Sequence, residues 1–130
     1  MEIKIHKLKN LGDSKGKVFN LDFGNKKIVE IPIFYREKGT NPLGHFHKGS
    51  VPSNNPQKII ILKGTVKMFF TDTKKNKKEI TCRKGDIIEI PKFIFHKYEV
   101  VENTIFAEIR LQKYNKNNID NYSYKEFLKL

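Results

Sequence analysis

Short segments of alternating apolar and polar residues, separated by turn signals, run through most of the chain. Lys58 to Leu62 contains a continuous apolar run that predicts a buried strand, and Thr65 to Thr71 runs back from it after the turn Lys63-Gly64. Alternation of this kind, bounded by glycine, asparagine or aspartate, is typical of β-strands. Further strands are predicted at Lys17 to Phe23, Lys27 to Tyr35, Glu79 to Arg83, Ile87 to Ile90, Phe95 to Val101 and Thr104 to Leu111. Regularly spaced short strands predict an all-β, double-sheet jelly-roll barrel.

The pattern also divides the chain into three parts. Residues 1–16 are predicted to form an N-terminal strand or arm, 17–111 the barrel, and 112–130 a C-terminal tail. Apolar side chains near the end of the tail predict a short helix packed on the barrel. A chain of 130 residues is long enough to bury a core as a single domain, and we see no internal repeat.

The charge is strongly positive, with a formal net charge of +12. Lysines are spread from Lys4 to Lys129, with one cluster at 74–78 in a predicted hairpin tip. No zinc-finger cysteines, RNA-binding aromatic signature or helix-turn-helix pattern accompanies them, so we do not expect nucleic-acid binding. The excess of basic residues favours binding of an anionic small molecule, such as a nucleotide diphosphate.

Membrane and disulfide classes are also disfavoured. No stretch approaches the roughly 18 apolar residues of a membrane helix, and the first residues lack a signal-peptide apolar core. We therefore expect a cytoplasmic protein without a membrane partner. The one cysteine, Cys82, lies in an alternating stretch and is expected to occupy a strand position as a structural residue.

Histidines carry the candidate chemistry. His45 and His47 follow the run Gly39-Thr-Asn-Pro-Leu-Gly44, and His96 ends the run that begins at Gly85 and passes through Pro91. Residues at i and i+2 of an extended chain share one face, so His45 and His47 should converge while Phe46 points away. Six residues separate Gln57 from Gly64, and Gln57 is the candidate fourth member of this site.

These spacings resemble the two sequence motifs of the cupin superfamily, whose barrels carry their pocket residues at the matching positions. The first motif normally has a glutamate where this chain has Gln57. The segment 48–56 is longer than in a typical cupin and contains two prolines, a glycine, two serines and two asparagines. It is predicted to be a loop, either a plain surface insertion or a lid that affects specificity.

The chain also resembles the sugar-nucleotide 3,4-ketoisomerases, which are cupins that act on thymidine-diphosphate-linked 4-keto-6-deoxy sugars. Three stretches carry the resemblance: Gly12 to Val18, Gly39 to Lys48, and Asp120 to Leu128. In that family the histidine pair usually follows Arg-Gly, where this chain has Leu43-Gly44.

The resemblance implies a reaction and its residues. A neutral imidazole removes the carbon 3 proton, which the adjacent ketone acidifies, and the resulting enediol is reprotonated at carbon 4. His45 and His47 are the predicted catalytic pair, with neither assigned as the base. The residues predicted to bind the substrate are Gln57, His96, Tyr35 and Arg110. The family works without a metal and forms homodimers through exchanged N-terminal strands, so we expect no cofactor and a homodimer.

Two alternatives use the same residues. Three imidazoles and the Gln57 oxygen are also a ligand set for divalent Fe, Mn, Ni or Zn, as in metal-dependent cupin dioxygenases and isomerases. In that reading the ligands are His45, His47, Gln57 and His96, although glutamine in place of glutamate removes a negative charge. The second alternative is a non-catalytic cupin that binds a sugar.

Overall fold

Two antiparallel sheets face each other across one core. The computed structural model of the protein describes residues 1–130. Its strands are β1 (Lys4–Lys7), β2 (Ile33–Arg36), β3 (Gln57–Lys63), β4 (Thr65–Thr71), β5 (Lys77–Arg83), β6 (Asp86–Ile90), β7 (Phe95–Val100) and β8 (Thr104–Glu108). A 3-10 turn covers Pro52–Asn54, and helix α1 covers Tyr124–Phe127. No helix has the length and apolar character needed to cross a membrane.

The order of strands gives the pocket its two walls. One sheet has the order β1-β6-β3-β8-β2 and the other has β5-β4-β7. Alternate residues of both sheets point between them and bury an apolar core, which places the other residues outside. The core residues are Ile3, Ile59, Ile61, Val66, Met68, Phe70, Cys82, Ile88, Ile90, Ile94, Val100 and Phe106. The predicted all-β jelly roll is confirmed, and Cys82 is a free, buried thiol within it.

The predicted strands are confirmed after position 57, whereas before it only short strands are found, among them β1 within the predicted N-terminal strand or arm. Every strand predicted after position 57 is present, with small differences at its ends. The strand predicted at Lys17 to Phe23 is wrong, and the one at Lys27 to Tyr35 shrinks to β2. Within 8–29 the chain bonds mainly to itself, for example from Leu11 N to Val18 O at 2.7 Å. Alternation makes a strand only where a partner edge satisfies its backbone groups, and this segment has none within the chain.

The predicted C-terminal helix is confirmed as a single capped turn. Ser123 caps it by accepting from the Glu126 backbone N–H at 3.2 Å, and the Glu126 carboxylate accepts from Ser123 N–H in return. The helix buries Phe127 against Phe46 and Phe95, in a second apolar cluster beside the main core. The tail is thereby fixed to the outside of the segment that carries the histidine pair.

Asp120 holds the 48–56 loop in place. Its carboxylate accepts from the backbone N–H groups of Lys48 at 2.9 Å, Gly49 at 3.0 Å and Val51 at 3.4 Å. Asn54 Nδ2 also donates to it at 3.4 Å. Burial opposes the charged form of Asp120, but these hydrogen bonds outweigh burial and hold the pKa of the carboxyl below its usual value.

Ser53 makes a second connection between the loop and the tail. Its hydroxyl donates to Gln112 Oε1 and accepts from the Leu111 backbone N–H, both at 2.7 Å. Val51 and Ser53 are buried, so the loop is packed into the protein and is not a plain surface insertion. The loop and the tail together form one wall of the cavity described below.

Asp120→Asn tests this connection. Asparagine keeps the shape and tolerates the positive φ of 54° at this position, but it lacks the charge and one acceptor oxygen. We expect the free energy of unfolding at neutral pH to fall by about 1–3 kcal/mol in chemical denaturation. Asp22→Asn is the control, because Asp22 accepts a similar bond in an exposed turn and should cost less than about 0.5 kcal/mol.

The difference in the free energy of unfolding between wild type and Asp120→Asn should depend on pH, in a direction set by the pKa of Asp120. Since the folded-state pKa of Asp120 is depressed, its charged form stabilises the protein above the unfolded-state value of about 3.9. That stabilisation is lost as the pH falls through the folded-state pKa, so the gap between wild type and Asp120→Asn should narrow below about pH 4. Equal stability of the two proteins at pH 7 would contradict the role given to Asp120.

Candidate active site

A cavity of about 690 Å³ opens between the sheets, a size suited to a small-molecule ligand. Its inner surface is apolar, and its outer surface is polar and basic. The apolar side chains are Phe34, Ile59, Ile61, Val66, Met68 and Phe106, and the polar outer ones include Ser50, Ser53, Asn54, Gln112, Asn115 and Asn118. His45, His47 and His96 also line the cavity, and His47 and His96 are buried.

Backbone pairing positions His45 beside His96. His45 N–H donates to His96 O at 3.0 Å, and His96 N–H donates to His45 O at 2.9 Å. Gly44, at φ 84°, makes this close approach possible, because a Cβ there would lie 2.6 Å from His96 O. Phe46 points the opposite way and is fully buried among aromatic rings, with the Phe127 centroid at 5.3 Å. The predicted alternation along 45–47 is therefore confirmed.

The three imidazoles form one compact cluster. The His45 ring centroid lies 4.7 Å from both His47 and His96, and those two are 5.2 Å apart. Burial, together with the positive charge available on His47, lowers the pKa of His45 to about 4. Burial and the two neighbouring histidines also hold the pKa of His96 well below its usual value. His45 and His96 are therefore neutral at neutral pH.

Hydrogen bonds distinguish the roles of the three rings. His96 Nδ1 lies 3.0 Å from the Ile94 carbonyl oxygen, which can only accept, so Nδ1 carries the proton. His96 Nε2 then carries a lone pair and no proton. This buried nitrogen has no hydrogen-bond partner in the protein. The His45 ring makes no hydrogen bond either. Both rings therefore have free acceptor nitrogens.

His47 is bonded at both ring nitrogens. Nδ1 donates to the backbone carbonyl of Asp120 at 2.8 Å, and Nε2 lies 2.9 Å from Gln57 Oε1. Gln57 Nε2 in turn donates to Glu108 Oε1 at 2.9 Å. His47, Gln57 and Glu108 form a continuous hydrogen-bonded chain from the loop to strand β8.

Glu108 is a site residue that the sequence analysis missed. Burial raises the pKa of its carboxyl, while Arg110, the Gln57 amide, His47 and Arg36 oppose that rise. Alternation along the strand could have identified it. Phe106, Glu108 and Arg110 share one face of the strand, and Phe106 belongs to the core. A carboxylate on the inward face of a strand marks a polar site inside the barrel.

The outer part of the cavity is positively charged. Its cationic lining residues are Arg36, Lys97, Arg110 and Lys113, and its only carboxylate is Glu108. Arg36 Nε donates to the Tyr98 hydroxyl at 3.1 Å, which fixes the guanidinium direction. The Arg110 guanidinium lies 5.1 Å from the centre of the Tyr114 ring. Two oriented guanidinium groups in the cavity lining suit an anionic ligand.

The predicted site residues fall into two groups. The structure brings together His45, His47, Gln57, His96 and Arg110, all of which line the cavity. It does not bring Tyr35 there, and Tyr35 is 71% exposed. Within β2 the side chains of Phe34 and Arg36 point into the cavity, so the residue between them points outward. The choice of Tyr35 as a pocket residue is therefore wrong for the single chain.

Similar proteins are found only among solved structures. No protein-family model matches the sequence, and no curated protein matches it. Among solved structures, the WlaRB TDP-quinovose 3,4-ketoisomerase from Campylobacter jejuni aligns with a TM-score of 0.79 at 18% identity. That alignment covers 98% of each chain.

Two further structures give the same result. The sugar 3,4-ketoisomerase QdtA from Thermoanaerobacterium thermosaccharolyticum, in complex with TDP, has a TM-score of 0.78 at 16% identity, with 98% of this chain and 92% of that chain covered. A dTDP-4-dehydrorhamnose 3,5-epimerase from Bacillus anthracis, with TDP and PPi bound, has a TM-score of 0.71 at 17% identity, with 94% and 78% covered. The chain therefore has the jelly-roll fold of these ketoisomerases and epimerases, which is the cupin fold that its two histidine motifs predict.

Proposed function

We propose that the protein is a sugar-nucleotide keto-isomerase that acts on a nucleoside-diphosphate-linked 4-keto-6-deoxyhexose. The observation that carries this proposal is a neutral, unbonded imidazole, His45, in a cavity that is also lined by guanidinium groups. A base and cations in one cavity suit a substrate that has both an acidic C–H and phosphates.

His45 is the base in this proposal. Its ring is free of hydrogen bonds, and its low pKa of about 4 keeps it unprotonated at neutral pH. His47 has both nitrogens bonded, so no ring lone pair points to a substrate. The pair that the sequence left unassigned thus divides into a proton acceptor, His45, and a partner, His47, whose ring is held beside it by two hydrogen bonds.

The proposed reaction only moves protons, so it needs no oxidant or reductant. His45 takes the carbon 3 proton, and the ketone oxygen at carbon 4 gains electron density as the enediol forms. The carbon 3 hydroxyl then loses its proton, which passes to the carbon 4 oxygen, and carbon 3 becomes the new ketone carbon. Protonated His45 returns a proton to carbon 4, which becomes the alcohol carbon.

The similar structures support the substrate class. The Campylobacter protein is described as a TDP-quinovose 3,4-ketoisomerase, and QdtA was solved with TDP. Leu43 stands where that family has an arginine before the histidine pair. We propose that Arg36 and Arg110 provide the guanidinium groups for the diphosphate, with Gln57 and His96 contacting the sugar.

Solvent isotope exchange tests the reaction. In deuterated water with a nucleotide-linked 4-keto-6-deoxyhexose, the protein should exchange hydrogen beside the ketone and form an isomeric keto sugar. His45→Asn and His47→Asn should each lower the rate by about 10²- to 10⁴-fold with folding intact. His96→Asn should cost less, because His96 transfers no proton. We expect kcat/KM to fall on the acid side only as the pH drops through about 4.

Two results would count against the isomerase. Absence of exchange with every such sugar nucleotide would leave a sugar-binding protein or a different enzyme. Equal losses in all three histidine variants would favour the metal-dependent alternative, since a metal site depends on each ligand.

A resident metal fits this set of residues poorly. Three imidazole nitrogens lie within 4.8 Å of one another, which is the observation in favour of a metal. However, both nitrogens of His47 are already bonded within the protein, and Gln57 contributes no charge. Binding through His47 would require its bond to Gln57 or to Asp120 to break. We therefore propose that the histidines act without a metal.

Elemental analysis tests the metal proposal. Protein purified without added metal should contain far less than one equivalent of iron, manganese, nickel or zinc per chain, and chelation should leave the exchange rate unchanged. One equivalent that is lost together with activity would reverse this conclusion. His96→Ala would then lower metal content as well as activity.

We also propose that the protein is a homodimer. The N-terminal segment and β2 expose many apolar side chains: Leu11, Val18, Phe19, Leu21, Val29, Ile31, Ile33 and Tyr35. β2 is an edge strand with one free side, and segment 8–29 lacks a strand partner. A second copy related by a two-fold axis would supply that partner and cover the apolar residues.

Sedimentation tests the dimer. Wild-type protein should sediment as a dimer at micromolar concentration. Ile31→Lys with Ile33→Lys should give a folded monomer, because both side chains are about half exposed in one chain and neither lines the cavity. Lys63→Glu, on the end of an interior strand, is a control for charge change and should not alter the mass. A monomeric wild type would contradict the proposal.

A further inference from the structure

The Arg36 side chain connects the two sheets at the cavity. Arg36 lies on β2, and its Nε donates at 3.1 Å to the hydroxyl of Tyr98, which lies on β7 of the other sheet. Both residues line the cavity and are partly buried. The Tyr98 ring packs edge-on against Phe106, with centroids 5.7 Å apart. The hydroxyl that accepts from Arg36 is therefore itself held in place.

Three further contacts fix the Arg36 guanidinium. Its Nη1 donates to the Tyr35 backbone carbonyl at 3.2 Å. The guanidinium carbon lies 5.1 Å from the centre of the Phe34 ring and 5.9 Å from the centre of the Phe106 ring. These two rings are stacked on each other, with centroids 4.8 Å apart. A long side chain held by hydrogen bonds and aromatic rings has lost rotamer freedom before any ligand binds.

The fixed guanidinium keeps its charge and some of its donors free. A guanidinium has more N–H groups than the two bonds to Tyr98 and Tyr35 use. Both of these partners are neutral oxygens, and Arg36 takes part in no ion pair. A partly buried cation with unused N–H groups in a planar fork is suited to bind the oxygens of an anion.

Arg110, the other guanidinium of the cavity, is held less firmly. Its side chain makes no hydrogen bond within the protein, and it lies 5.1 Å from the centre of the Tyr114 ring. Tyr114 is 58% exposed. One contact with an exposed ring restricts Arg110 less than two hydrogen bonds and two rings restrict Arg36.

We propose that Tyr98 is a positioning residue that pre-organises Arg36 to bind the diphosphate of the substrate. Its hydroxyl sets the direction of the guanidinium, so the side chain is ordered when the protein folds and not when the ligand binds. Tyr98 acts only through Arg36. The identity of the ligand rests on the proposed function, whereas the anion-binding role is measurable without the reaction.

NMR of the free protein is the first test. Proton–nitrogen spectra that resolve arginine Nε–H groups distinguish a held group from a mobile one, because a proton in a persistent hydrogen bond exchanges slowly with water. We expect slow exchange at Arg36 Nε–H in the wild type and fast exchange in Tyr98→Phe, with the Arg110 signal unchanged. Fast exchange at Arg36 in the wild type would overturn the proposal.

Calorimetric titration with thymidine diphosphate measures the effect on binding. Tyr98→Phe should weaken binding by about three- to ten-fold, the range expected when one long side chain must be ordered on binding. In the isomerase assay KM should rise by a similar factor with kcat unchanged, because the hydroxyl contacts no reacting atom. If Tyr98→Phe lowered only the free energy of unfolding and left the affinity for thymidine diphosphate unchanged, the bond would be purely structural and the proposal wrong.

Tyr124→Phe is the matched control. Its hydroxyl makes no hydrogen bond within the protein, and Tyr124 is 46% exposed on α1, away from the cavity. This variant should leave the affinity for thymidine diphosphate, KM and kcat unchanged. A loss equal to that of Tyr98→Phe would show that the Tyr98 effect is not specific and would count against the proposal.

A double-variant cycle tests whether Tyr98 acts through Arg36. Arg36→Met keeps a long side chain but removes the charge and the donors, so it should weaken binding of thymidine diphosphate more than Tyr98→Phe does. Adding Tyr98→Phe to Arg36→Met should then cause no further loss. An equal loss in both backgrounds would show that Tyr98 acts on the ligand independently of Arg36 and would reject the proposal.

These binding results are separable from the isomerase assay. Absence of exchange with every sugar nucleotide would reject the proposed reaction, but the titrations would still report whether Tyr98 and Arg36 form an anion site. Wild-type protein that binds neither thymidine diphosphate nor inorganic pyrophosphate would overturn the inference, whatever the exchange assay shows.

Discussion

The site depends on hydrogen bonds that converge on Asp120. The Asp120 carboxylate accepts from the loop that follows the histidine pair, and its backbone carbonyl accepts from His47. One residue of the tail therefore fixes both a wall of the cavity and the ring within it. Such bonds are effective here because Asp120 is only 4% exposed, where an unpaired donor would be costly. The strands provide the frame, and this contact sets the geometry of its open end.

Burial of polar groups explains the chemistry that the fold permits. An imidazole inside an apolar barrel loses its hydration, which disfavours the charged form. His45 and His96 respond by being neutral, while His47 has a hydrogen-bond partner at each ring nitrogen. Three identical side chains within about 5 Å thus differ in their hydrogen bonds. Differences in environment allow neighbouring groups of one type to take different roles.

The local hydrophobic pattern was sufficient to predict those strands that have a pairing partner close by in the fold. Strands β3 to β8 follow one another with short turns, and the hydrophobic pattern predicted their positions. The segment from Lys17 to Phe23 alternates in the same way and forms no strand. Strand formation there depends on an edge that the single chain does not offer, and no local signal reports whether an edge is available. Tyr35 failed as a pocket residue because its register on β2 was decided by pairing with β8.

The sequence by itself determined the fold class and the convergence of His45, His47, Gln57 and His96, because spacing in motifs and two-residue periodicity are local properties. Only the tertiary structure decided which histidine is free and which is bonded. It also supplied Asp120 and Glu108, which lie 73 and 51 residues from their partners His47 and Gln57. A hydrogen bond forms between groups within about 3 Å regardless of sequence separation. Such contacts become visible only when the chain has closed into the barrel.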